Sequence, residues 1–388
     1  MLPHQETYPL FDRRKNNTNH PTSLLRGPVE MIEVDGDMLE GGGQIVRTSL
    51  ALSALTGKPV TVRKIRMKRP NPGLQAQHVL AAKILAAISH AESTHLTVGS
   101  PELTFTPRGH AAGRFTFDVG TAGSIPLILQ ALIPAAAYAP GPLEFELTGG
   151  TDVRWSPSID YLQLTQLPLL RKMGYEVTIQ VHRRGHYPKG GGRVSVIVNP
   201  PRMLKAVRWL ERGDLTEIDG ISHAVRLPSH VAQRQANAAK EKLGEAAFSN
   251  LNVKTETYAP NQDPHLAPGS GITLRAKFTG GAILGADSLG ERGRPAENVG
   301  EEVARGLLKE IASGAAVDKH MGDIVIPYLA VADGLSEIQV SEITPHTITN
   351  IKVAELLTGV KFTVEGELHN AGRVSVRGLG LKTSDTSK

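Results

Sequence analysis

The residues that could do chemistry are few and far apart. Glu40–Arg47, EGGGQIVR, sets three glycines directly before a helical pattern. Free N–H groups at a helix start, with glycines that let a ligand approach the backbone, can hold a phosphate. The Lys-Ser/Thr end of a Walker A loop is missing. Glu40 could give oxygen to a divalent cation, although a tight turn with a solvated glutamate explains the same residues. Arg63–Arg69, RKIRMKR, holds five basic residues in seven. On a strand, Arg63 and Arg69 share one face, and Lys64, Arg66 and Lys68 the other. Such a cluster suits a phosphodiester backbone, and equally a charged edge strand guarded against aggregation. Gly120–Ser124 (GTAGS) and Arg183–Arg193 (RRGHYPKGGGR) could meet phosphate or simply turn the chain. His320 in DKHMGD and His346 in TPHTITN stand at equivalent places, each at the polar start of a helix. A lone loop histidine is more often a hydrogen-bonding surface residue than a catalyst, but neutral imidazole is a competent nucleophile near pH 7. There is no G-x-S-x-G, and the one H-x-x-x-H, His182–His186, has no acidic or cysteine ligand at metal-site spacing beside it, so spacing does not name a reaction.

The elements that must position these residues follow a recurring pattern. A Gly-rich start, a helix of small and aliphatic residues, a short break and an alternating strand occur in EGGGQIVRTSLALSALTGKPVTVRKI. The same order returns in VGTAGSIPLILQALIPAAAYAPGPLEFELTGG and in HMGDIVIPYLAVADGLSEIQVSEI. A second helix follows each copy: GLQAQHVLAAKILAAIS, SPSIDYLQLTQLPLLRKMG and TITNIKVAELLTG. Two helices and several strands used three times predict an α/β repeat protein. About a hundred residues of different rhythm separate the second copy from the third. The expected organisation is a polar arm over residues 1–29, a discontinuous large domain over 30–210 and 315–388, and a small inserted α/β domain over 211–314.

Composition narrows the class. The 388 residues include no cysteine, which excludes disulfides and thiolate zinc sites and points toward a reducing compartment. The first residues lack the apolar middle of a signal peptide, and the longest apolar run, IPLILQALIPAAAYA, carries two prolines and a glutamine, so no membrane span is expected. Aromatics make up 4%, so the core must be built from Ala, Leu, Ile and Val. A net charge of +5 is compatible with a polyanionic partner such as RNA.

Taken in order, EGGGQIVR, KIRMKRPNPGLQAQH, GTAGS, GGTD, RRGHYPKGGG, HMGD and TPHTITNI resemble the RNA 3′-terminal phosphate cyclase family from about Met31 to near Leu381. The resemblance implies three similar two-helix, four-strand units interrupted by a small thioredoxin-like domain. It implies a cytoplasmic enzyme, or a nuclear one in a eukaryote, that uses ATP with Mg²⁺ or Mn²⁺ on an RNA 3′-phosphate. A histidine takes AMP from ATP and passes it to that phosphate, and the 2′-hydroxyl then closes a 2′,3′-cyclic phosphodiester. Carried over by position, the nucleophile is His346 and the metal ligand Glu40. The phosphate and RNA contacts are Arg47, Arg66, Arg69 and Gln77. The nucleotide would meet Gln130, Pro157, Tyr161 and the run His320, Met321, Gly322, Asp323 and Ile324. The family commonly has glutamine where Ile324 stands, which weakens a polar contact there. The alternatives are a non-catalytic cyclase-like ribosome-assembly factor, which lacks the nucleophile pattern, and an enolpyruvyl transferase, which needs six units and a longer chain.

Overall fold

The computed structural model describes residues 30–383; the arm expected over residues 1–29 lies outside them. The fold is mixed α/β with four small four-stranded sheets. The first combines β1 (Ile32–Asp35), α1 (Gly43–Thr56), β2 (Val60–Arg63), α2 (Ala76–Ser89), β3 (Glu92–Thr94) and β4 (Leu103–Thr106). Its strand order is β1-β2-β4-β3, with β1 and β2 parallel (Ile32 opposite Val60) and the other pairs antiparallel. The second combines β5 (Gly113–Asp118), α3 (Ile125–Ala136), β6 (Leu143–Gly149), α4 (Ile159–Tyr161), a π-helical turn (Leu162–Gln166), α5 (Leu167–Lys172), β7 (Glu176–Arg183) and β8 (Gly192–Asn199). Its order, β5-β6-β8-β7, repeats the same parallel and antiparallel sequence.

After the two-residue β9 (Arg208–Trp209) come β10 (Leu215–Val225), α6 (His230–Glu245), β11 (Leu251–Thr257), β12 (Gly269–Phe278), β13 (Ile283–Leu289) and α7 (Ala296–Ala312). They form a sheet of order β11-β10-β12-β13 over their own apolar cluster, which includes Leu243, Leu274, Val303 and Leu307. The chain then returns through α8 (Lys319–Ile324), α9 (Ile326–Val331), β14 (Leu335–Val340), α10 (Pro345–Thr358), β15 (Phe362–Glu365) and β16 (Gly372–Arg377). The last sheet has the order β15-β16-β14-β9 and recruits β9 from before the intervening elements.

Burial explains the helix compositions. From Gln44 to Leu55, every residue of α1 is buried except Arg47. This helix packs against α2, α3 and α10, so it must be small and apolar all round. Strand β6 alternates buried and half-buried side chains with period two, as a sheet with one core face requires.

Two local expectations are corrected, and one choice left open by the sequence is decided. The basic run Arg63–Arg69 is not one strand: β2 ends at Arg63, and Lys64 and Arg66 both have positive φ, so the chain turns and the two-face sorting does not apply. The first helix of the third segment is split into α8 and α9 around Val325, where Pro327 opens the next turn. RRGHYPKGGGR is the connection between β7 and β8, and its Arg184 is buried in ion pairs rather than open to phosphate.

Candidate active site

His346 is the second residue of α10. Pro345 occupies the first helical position, where its missing N–H costs nothing. Thr344 caps the helix: its Oγ1 accepts from the Thr347 N–H at 3.0 Å. The TPHT sequence therefore starts a helix efficiently and fixes the imidazole in its first turn. Asn350, one turn on, accepts from Thr48 of α1 (2.8 Å) and donates to the Asp323 carbonyl beside α8 (3.0 Å). Gln44 Nε2 donates to the His346 carbonyl at 3.5 Å. These contacts bind α1, α8 and α10 across about three hundred residues of sequence, as the 302-residue separation of Thr48 and Asn350 shows.

The glycine loop before α1 faces the histidine. Gly41 has φ of 56°, and a Cβ on Gly43 would come within 2.2 Å of His78 Nε2, so both positions require glycine. Glu40 Oε2 lies 3.2 Å from His346 Nδ1. It is out of solvent and makes no hydrogen bond.

Around this pair stand cations without counter-ions. The other basic residues of the run are engaged: Arg63 with Glu33 (3.2 Å), Lys64 with Asp35 (3.6 Å) and Lys68 with Asp37 (3.2 Å). Among the described residues, Arg47, Arg66 and Arg69 form no ion pair. Arg66 donates to the Asn71 carbonyl at 3.2 Å, and its Nε is buried without a partner. Burial lowers Arg47 to about 10, against Asp323 and reinforced by Arg66. Arg66 is lowered by burial and by Arg69. Such mutual repulsion persists where an anion is to be received.

The same field acts on the titratable groups. Burial lowers the His346 pKa, Glu40 opposes the shift, and Arg47, Arg69 and His320 add to it. The imidazole is therefore neutral at pH 7. Asp323 is raised to about 7 by burial, against Arg47, with Asp318 and Glu40 adding to the rise.

The remaining expected residues fall into distinct places. Gln77 Oε1 accepts from the Ser124 N–H (3.1 Å), tying the start of α2 to the start of α3. Gln130 is half-buried on α3, and Pro157 half-buried just before α4. Tyr161 is fully buried. Its hydroxyl donates to Asp318 Oδ1 (2.6 Å), and its ring meets His320 edge-on at 6.1 Å. Met321, Gly322 and Ile324 are buried, so the Met321 and Ile324 side chains pack in the core.

Three contributors were missed in the sequence. His78 closes a capping box with Gln75 and is lowered to about 3 by burial, then by Arg47 and Arg66. Asp318 caps α8, accepts from Tyr161 and takes the Gly285 N–H at 3.0 Å. Gln44 reaches His346. The only sequence signal for Asp318 was its place three residues before Met321, as an acidic helix cap.

The family model described as RNA 3'-terminal phosphate cyclase matches residues 38–364. Proteins of that name are similar over nearly the whole chain. The one from Hyperthermus butylicus is 48% identical over 359 residues, covering 91% of this chain and all of its own length. That from Ignicoccus hospitalis is 48% identical over 350 residues, 90% of this chain and 99% of its own. That from Pyrococcus abyssi is 47% identical over 346 residues, 89% and 98% respectively. With a matched span that runs from the glycine loop through His346, the chain belongs to the RNA 3'-terminal phosphate cyclase family.

Proposed function

We propose that this enzyme converts an RNA 3′-terminal phosphate to a 2′,3′-cyclic phosphodiester at the expense of ATP, with His346 as the covalent carrier of AMP. One observation carries the assignment of His346: a neutral imidazole at a helix start, 3.2 Å from Glu40 and surrounded by unpaired arginines. The Glu40 carboxylate favours the tautomer with the proton on Nδ1, which leaves the Nε2 lone pair to attack. Attack on the α-phosphorus of ATP forms the N–P bond, breaks the α–β bridge and releases pyrophosphate. The RNA 3′-phosphate oxygen then attacks the same phosphorus and frees the histidine. Finally the 2′-hydroxyl attacks the activated RNA phosphorus, loses its proton and expels AMP; its proximity makes this step intramolecular.

Arg47, Arg66 and Arg69 offset the charge of the phosphates. Glu40 fits a Mg²⁺ or Mn²⁺ ion, because its buried Oε2 has no other partner; when bound there, the ion would neutralise phosphate charge. Gln130, Pro157, His320 and Asp323 would border the nucleotide. Tyr161, held by Asp318, would act by positioning His320, and Met321, Gly322 and Ile324 would contribute backbone. We read the three β-α-β-α-β-β segments as the repeated units of one large domain, and the β10–β13 sheet with α6 and α7 as the insertion over 211–314. Their matching strand orders support this reading. Among the described residues, no helix is long and apolar enough to cross a membrane.

The test is incubation with α-labelled ATP and metal. The wild type should give an acid-labile, alkali-stable protein–AMP adduct, and His346→Ala none. An adduct that persists in the variant removes His346 as nucleophile. An RNA 3′-phosphate should become phosphatase-resistant only with ATP; an adduct without cyclised RNA would require another AMP acceptor.

A further inference from the structure

Away from His346, the structure gathers three ligand-type side chains that no spacing pattern relates. Asp152 follows β6, His186 lies between β7 and β8, and His223 belongs to β10. All three are buried, and one ligand atom from each lies within 4.8 Å of the other two. His186 Nε2 and His223 Nε2 face each other at 3.2 Å. Two nitrogens bound to one tetrahedral zinc ion at about 2.0–2.1 Å lie about 3.3 Å apart, so the observed separation suits a shared ion as well as a hydrogen bond. Asp152 supplies a free oxygen. Its Oδ2 is taken by Thr151 (2.6 Å) and Arg184 (3.3 Å), whereas its buried Oδ1 has no partner.

The surroundings point the same way. Behind His223, Nδ1 is buried without a hydrogen bond and faces Asp160 Oδ2, which is ion-paired with Arg184, at 3.8 Å. A carboxylate behind the second nitrogen of a metal-bound histidine fixes its tautomer and ring orientation. Charge is unbalanced as well. The one buried cation, Arg184, faces three carboxylates: Asp152 (3.3 Å), Asp160 (2.8 Å) and Glu256 (2.7 Å). A divalent ion supplies the missing positive charge where water cannot.

We propose that Asp152, His186 and His223 form a zinc-type divalent-metal site, distinct from the one at Glu40, that joins β10 of the third sheet to the loops of the second. Two imidazoles and one carboxylate are the donor set that favours Zn²⁺ over Mg²⁺ or Ca²⁺, with water in the fourth position. A bound ion would clamp β10 to the loops of the second sheet.

The experiment strips the full-length protein with a chelator, reloads it with Zn²⁺ and measures zinc after desalting. Wild type and Glu40→Gln should each retain about one equivalent, and His223→Ala and Asp152→Asn at least tenfold less. Zinc should also raise the melting temperature of wild type but not of those two variants. Retention lost in Glu40→Gln, or kept in both His223→Ala and Asp152→Asn, overturns the proposal. Should those variants not fold, Co²⁺ in wild type decides: the intense visible absorption of four-coordinate cobalt supports the site. A weak spectrum or no uptake means a plain His–His hydrogen bond and overturns it.

Discussion

Two polar clusters in this molecule are built from the same residue types with opposite excess charge. At the Glu40–His346 site, Arg47, Arg66 and Arg69 form no ion pair among the described residues, and the histidine side chain is 46% exposed. At the Asp152–His186–His223 site, carboxylates outnumber the one arginine, whose side chain is 3% exposed. An open site can hold unpaired cations because water screens them until a phosphate arrives. A closed one has no such screen, so its charges must be matched by permanent partners. The sign of the unmatched charge indicates what each site receives: phosphates in the first, a cation in the second. Solvent access separates a site that turns over from one that holds.

The largest break in this comparison comes from the closed cluster. Arg184→Met removes the only cation facing Asp152, Asp160 and Glu256. Asp160 is already raised to about 6, by burial first, against Arg184, with Asp152 and Glu256 adding to the rise. Without the guanidinium it should bind a proton at neutral pH. Leaving buried charge unpaired typically costs about 3–5 kcal/mol, so the urea midpoint should fall by a corresponding amount. Adenylylation per folded molecule should stay within about twofold. An unchanged midpoint would mean that the network contributes little to stability. Adenylylation lost in proportion to the folded fraction would be expected; a loss beyond it would tie this cluster to the chemistry.

The two clusters also differ in how far the sequence revealed them. EGGGQIVR, HMGD and TPHTITN were legible because each puts its signal in a few adjacent residues: glycines, a cap and a helix start. Strand and helix periods showed where they lie. The engagement of Lys64 and Lys68 was not legible, because it follows from the chain turning at Lys64 and Arg66, where positive φ ends the strand. Nor was the role of His78, which depends on a helix packing within reach of Gly43. Asp152, His186 and His223 lie more than thirty residues apart in the sequence, and only tertiary packing makes them neighbours. Local spacing records helices, turns and alternation; it carries no trace of a contact made through tertiary packing.

At the open site, Glu40→Gln keeps the shape and removes the charge. Adenylylation should slow on the order of a hundredfold, the size of losing one stabiliser of phosphate charge, and the metal concentration needed for half-maximal rate should rise. A rate unchanged at limiting metal would remove Glu40 as the ligand. The pH profile provides a second readout. Glu40 raises the His346 pKa, so without its charge the acid limb of the rate should move to lower pH.

The smallest effect is the most discriminating, because Arg69→Ala should move that limb the other way. Arg69 disfavours the imidazolium, and its removal lets His346 bind a proton at higher pH. Adenylylation requires the neutral ring, so the variant should lose activity first as pH falls toward and below the ordinary imidazole value of 6.5. Arg69→Lys, which keeps the charge, should leave the limb in place. Because the guanidinium is partly exposed, added salt should narrow the gap between Arg69→Ala and wild type. With Arg69 in the phosphate-binding role proposed above, Arg69→Ala should also weaken RNA-end processing by about 1–3 kcal/mol, with a shallower salt dependence. Opposite shifts for Glu40→Gln and Arg69→Ala in one assay would place both charges in the field of the nucleophile. An unmoved limb together with an unchanged salt slope would return Arg69 to the role of a surface cation.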